Sequence, residues 1–257
     1  DRVLAATIWG SHVSGSADSH SDLDIGLITA DDGYRSFVSA RYDFVRLFGE
    51  PAFLEDFGAL NMVFFIFPNG VEGHLSLGNV RQLRGGQLSL FGSPYRVLVD
   101  KNQILAEAKF PRTHPTPEEQ RETLRRSVYW FWHDLSHFVA AWARNQLWWA
   151  YGQIEALRRY CVVLARLRHD FSEEPGGEEC YEKVDLWLPV EHLSPLKATC
   201  CSLESGAILQ AVFSIVKYYR EVATLLCRTH DIAYPTVLDR VMSERLEKLE
   251  DAEYRKK

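Results

Sequence analysis

The stretch Gly10-Ser11-His12-Val13-Ser14-Gly15-Ser16-Ala17-Asp18-Ser19-His20-Ser21-Asp22-Leu23-Asp24-Ile25 decides how this chain is read. Before it runs an apolar segment, Val3 to Trp9, and its end opens another, Leu23 to Ile28; both predict β-strands. A glycine directly after a strand lets the backbone come close to a ligand. The exposed amides of a Gly-Ser turn, with the Ser11 hydroxyl, suit phosphate oxygens. Asp22 and Asp24 stand two apart on the second strand and therefore project to one face, where their carboxylates can share a Mg²⁺ ion. A phosphate cradle beside a carboxylate pair is the equipment of phosphoryl or nucleotidyl transfer. Gly10, Ser11 and Ser21 are the candidate nucleotide contacts, and the plain alternative is a surface turn followed by an acidic strand.

Outward from this stretch, short apolar runs punctuated by glycine continue to about Lys109. Apolar residues at helical spacing from Tyr34 to Phe48 predict a helix over one face of a sheet. Met62 to Phe67 and Val71 to Leu77 flank Pro68-Asn69-Gly70, which signals a hairpin. Tyr95 to Val99 is a further strand candidate. Beyond three prolines between Phe110 and Pro117, Thr116-Pro117-Glu118-Glu119 supplies a cap, a proline at the first helical position and two first-turn acids. Long amphipathic stretches follow from there to Trp142, then at about Asn145 to Arg168, Leu203 to Arg228 and Pro235 to Glu253. Phe171 to Asp185, with Pro175 and Gly176-Gly177, reads as a surface loop. The fold expected is α+β: a small mixed-sheet core over residues 1–110, followed by a C-terminal helical bundle over 111–257.

Gly-Ser, a ten-residue spacer and Asp-x-Asp on the next strand resemble the signature of the DNA polymerase β type nucleotidyltransferase superfamily. The chain has His12 where many small antibiotic adenylyltransferases carry Arg. The resemblance implies a third acid on a neighbouring strand, and Val71-Glu72-Gly73-His74-Leu75 supplies it. Alternation puts Glu72, His74 and Ser76 on one face. Glu-x-His here is similar to the lincosamide nucleotidyltransferases, which implies Glu72 as general base or third metal ligand beside Asp22 and Asp24, with His74 behind them. The catalytic set so implied is Asp22, Asp24 and Glu72. The reaction implied is transfer of AMP from ATP, with Mg²⁺, to a hydroxyl of a small molecule: an antibiotic, lincosamides ahead of aminoglycosides. The helical half is expected to bind the acceptor, at a cleft between the two parts. Other readings are an AMP transferase that modifies a protein, as in toxin and antitoxin pairs, and a nucleotide sensor without catalysis, against which the intact Asp22, Asp24 and Glu72 speak.

Composition narrows the classes further. Of 257 residues 46% are apolar and 25% charged, with net charge -6 and no basic tract, so binding to nucleic acid or an anionic membrane is not favoured. No apolar run approaches the roughly 18 to 20 residues of a membrane-spanning helix. Five cysteines without a Cys-x-x-Cys fit neither a disulfide framework nor a zinc ribbon, and with no leader-like opening they indicate a reducing cytoplasm. A native segment ahead of Asp1 is expected, because the chain is strand-like by Val3. The partners expected are a nucleoside triphosphate and a small-molecule acceptor, with a homodimer left open. His133-Asp134-Leu135-Ser136-His137 has the one-turn histidine spacing of a zinc site but no glutamate between the histidines and no marked third ligand, so it reads as helix-surface or cleft-lining histidines. The tryptophans at 130, 132, 142, 148 and 149 read mainly as bundle core, and Arg158, Arg159 and Lys197 as solvated.

Overall fold

The computed structural model describes residues 3–88, 94–108, 114–172 and 179–254. Lys109 and Pro111 at the expected junction, Pro175 and Gly176-Gly177 of the expected loop, and Asp1 lie outside the described residues. The chain divides into two compact units, Asp1–Thr113 and His114–Lys257.

The first unit is built on a six-stranded sheet. In chain order its strands are β1 (Val3–Trp9), β2 (Leu23–Thr29), β3 (Phe53–Glu55), β4 (Met62–Ile66), β5 (Glu72–Asn79) and β6 (Arg96–Asp100), arranged β3-β4-β5-β2-β1-β6. β2 and β5 pair in parallel and the other neighbours antiparallel. Alternation along the strands makes the two faces different. One face carries Ala6, Leu27, Val63, Phe65, Leu75 and Leu77, packed against two short helices, α2 (Tyr34–Ser39) and α3 (Arg41–Arg46). The opposite face gathers Ala5, Trp9 and Ile28 with Leu83 of α4 (Val80–Gly85), Leu88, and Ile104 and Leu105 of a 3-10 helix, Lys101–Glu107. Asp24 shares strand parity with Ile28, so it belongs to this second face.

The helix expected over 34–48 is two pieces, because the chain leaves helical geometry at Ala40. β3, the one-turn α1 (Ser11–Ser14), α4 and the 3-10 helix are additions to the sequence reading.

The second unit is helical: α5 (Pro117–Ala143), α6 (Leu147–His169), α7 (Val184–Trp187), α8 (Val190–Lys197), α9 (Ser205–Thr229) and α10 (Thr236–Tyr254). α5 starts as its sequence dictates. The Thr116 hydroxyl accepts from the Glu119 amide while the Glu119 side chain accepts from the Thr116 amide, and Pro117 takes a first-turn position that needs no amide donor. Its buried face supplies Leu124, Val128, Phe131, Trp132, Leu135 and Phe138 to one core with α6 and α9. Phe131 stacks on Tyr219 at 3.5 Å, and the Tyr219 hydroxyl donates to the Val128 carbonyl at 2.7 Å, so the buried phenol is satisfied. The core reading of the tryptophans holds for Trp132 and Trp142. Trp130, Trp148 and Trp149 are exposed instead: two residues turn a helix by about 200°, which sends Trp130 away from the core-facing Trp132.

Candidate active site

β1 ends at Trp9, and the chain turns at Gly10 with φ +69. A Cβ at Gly10 would lie 2.0 Å from Asp24 Oδ2, so only glycine permits this approach of turn to carboxylate, and a side chain would also be strained at that φ. After the turn the Ser11 Oγ and His12 Nε2 are buried with no hydrogen-bond partner among the described residues. The loop back to β2 is tied by Ser21, whose hydroxyl accepts from the Asp18 amide at 2.9 Å and donates to the Asp18 carboxylate at 3.3 Å. Ser21 thus closes a loop, whereas Ser11 keeps its hydroxyl uncommitted.

The parallel pairing of β2 with β5 sets Leu23 opposite Gly73 and Asp24 opposite His74. The His74 Nδ1 is 3.1 Å from Asp24 Oδ1, and both side chains are mostly buried. The Trp9 and Phe64 rings lie against the His74 ring at centroid distances of 5.5 and 5.9 Å and limit its movement. One ligand atom from each of Asp22, Asp24 and His74 lies within 4.8 Å of the others. Burial lifts the Asp24 carboxyl above its ordinary value; His74 opposes this, Asp22 adds to it, and His12 opposes it in turn. Two carboxylates and an imidazole gathered around one point, with one carboxylate burdened by burial and by a like charge, suit a divalent cation. The uncommitted Ser11 hydroxyl suits a phosphate oxygen beside it.

The residues expected from the sequence are therefore only partly brought together. Gly10, Asp22 and Asp24 come together, and Ser11 follows Gly10 in the turn. Glu72 sits at the exposed first position of β5, one row beyond the Leu23 and Gly73 pair and level with Asp22, outside the group of three converging ligand atoms. His74, expected to stand behind the acids, takes the place beside Asp24. The alternation that selected Glu72 also selected His74, and only the strand register separates them. Thr7 and Ser76, on either side of Gly26 on the same face, are buried hydroxyls with no partner among the described residues, which the sequence reading did not pick out. Arg158 is engaged elsewhere, donating to Thr199 Oγ1 and to the Thr199 carbonyl, each at 2.9 Å.

A mixed sheet carrying a glycine turn against an Asp-x-Asp strand is the arrangement that the resemblance to nucleotidyltransferases implies. A model of the streptomycin adenylyltransferase family matches residues 1–249, and the chain belongs to that family. It is an adenylyltransferase. Among solved structures it is similar to an aminoglycoside 6-adenyltransferase from Bacillus subtilis, with a TM-score of 0.48 and 16% identity, covering 97% of this chain and 92% of that one. No curated protein sequence matches it. No helix among the described residues is long and apolar enough to cross a membrane.

Proposed function

We propose that the protein transfers AMP from ATP to a hydroxyl of an aminoglycoside, with Mg²⁺ held by Asp22 and Asp24. The observation that carries this reading is the meeting of both carboxylates with His74 at a turn where Gly10 alone fits. The family name puts aminoglycosides ahead of the lincosamides expected from the sequence. In the reaction an acceptor oxygen forms a bond to the α-phosphorus, the α–β anhydride bond breaks, and pyrophosphate leaves. Bound Mg²⁺ supplies charge neutralisation at the phosphoryl oxygens.

The chain's own residues do the rest. Ser11 donates its hydroxyl to the triphosphate. His74 fixes the orientation of Asp24 through the 3.1 Å contact. Glu72, level with Asp22 and open to solvent, takes the proton of the acceptor hydroxyl. We assign acceptor binding to the helical unit, since the strands of the first unit are committed to nucleotide and metal. Five free cysteines fit a reducing cytoplasm as its compartment.

Incubating the full chain with ATP, Mg²⁺ and a panel of aminoglycosides and lincosamides, followed by mass spectrometry, tests the reading. An adenylyl group gained by an aminoglycoside is the expected result. Adenylylation of lincosamides alone, or of none of the panel, would overturn the acceptor assignment.

A further inference from the structure

In the second unit α5 carries another convergent set of ligand atoms, made of residues to which the reaction proposed above gives no role. We propose that His133, Asp134 and His137 form a binding site for Zn²⁺. The inference depends neither on the acceptor nor on the reaction proposed above.

The two histidines are four residues apart and so share one helix face, with ring centroids 4.5 Å apart. Asp134 is adjacent in sequence, yet its carboxylate is turned toward them: His133 Nδ1 lies 2.9 Å from Asp134 Oδ1. One ligand atom from each of the three lies within 4.8 Å of the others. Zinc bonds of 2.0–2.2 Å in tetrahedral geometry set ligand atoms roughly 3.3 Å apart, so small side-chain rotations bring the three onto one ion.

The carboxylate is held for this role from behind. The Tyr160 hydroxyl of α6 donates to Asp134 Oδ2 at 2.9 Å, which leaves Oδ1 for the histidine side. A hydrogen bond that orients a ligating group is the usual outer support of a metal site. Trp130 meets the His133 ring edge-on at a 4.7 Å centroid distance, and Trp149 lies 6.3 Å from His137, so indole surfaces border the group. The His133 side chain is half exposed, which gives an ion access from solvent. Two imidazoles and one carboxylate favour zinc over Mg²⁺ or Ca²⁺, and three protein ligands leave a fourth position for water. The sequence offered no marked third ligand beside the two histidines, and the fold brings the Asp134 carboxylate to that place.

The test uses the full chain stripped of metal with a chelator. Because Asp22, Asp24 and His74 offer a second group, titrations are run in wild type and in Asp24→Asn. Co²⁺ alone, as a spectroscopic stand-in, is expected to give a visible absorption band that survives in Asp24→Asn and is lost in His133→Gln and in His137→Gln. Zn²⁺ is expected to displace it. Tyr160→Phe is expected to weaken Zn²⁺ binding about tenfold or more, since it removes the outer support and no ligand atom. His133→Gln alters a half-exposed residue, so folding, checked by circular dichroism, is expected to be retained. A band that persists in both histidine variants, a band lost in Asp24→Asn, or a wild-type chain that takes up neither metal would overturn the proposal.

Discussion

Glu72 and His74 face the same way on one strand, but His74 is packed between Trp9 and Phe64 against Asp24 while Glu72 is exposed. In the proposed reaction this separates a residue that orients the carboxylate assigned to the metal from one assigned to accept a proton. Glu72→Gln should lower the single-turnover rate about a hundredfold or more, the usual contribution of a general base, with nucleotide affinity nearly unchanged. A normal rate in Glu72→Gln, with the loss found in His74→Gln, would transfer the role of base to the imidazole. At this scale the carboxylate pair and the glycine turn were legible, because Asp-x-Asp and Gly-Ser are local patterns whose geometry follows from strand alternation. The rank of Glu72 and His74 was not legible. It depends on the register between β2 and β5, which are separated in sequence by the whole of α2, α3, β3 and β4.

Longer elements announced themselves through periodicity and caps. α5 begins at Pro117 as Thr116-Pro117-Glu118-Glu119 implies, and its reciprocal cap is an energetic feature as well as a boundary marker. Thr116→Ala should destabilise the helical unit by about 1 kcal/mol, seen as a lower denaturation midpoint in urea with an unchanged slope. An unaltered midpoint would mean that the packing of α5, not its cap, fixes the helix start. Short elements were missed for a physical reason. β3 has three residues and α1 four, too few to show a period, and both are held by neighbours rather than by propensity. The single helix expected over 34–48 failed at Ala40, where apolar spacing continues on either side of a break that it does not encode.

The whole molecule joins a sheet unit and a helical unit, and the change in composition near the three prolines anticipated a change of architecture, though not α7 and α8. The helical unit also sets a pH limit on stability. Burial holds His192 below its ordinary pKa of 6.5, helped by Arg168, and burial likewise lowers His230, which stacks on Phe171. Both take up protons less readily in the folded chain than in the unfolded chain, which gains them as pH falls through 6.5. Their contribution to stability is therefore complete above that pH and is lost as pH falls through the lower folded values. Thermal unfolding followed across this range should show a falling midpoint below pH 6.5, and His192→Asn should make that fall shallower. A midpoint independent of pH would contradict the assignment. Asp22 and Asp24 are the proposed centre of adenylyl transfer, and the direct measurement is the single-turnover rate of AMP transfer from ATP to an aminoglycoside by Asp22→Asn and Asp24→Asn. Loss of a carboxylate that holds the neutralising ion should lower the rate by orders of magnitude with the fold intact by circular dichroism. Retention of more than about a tenth of the wild-type rate by both variants, little more than 1 kcal/mol in barrier, would contradict it.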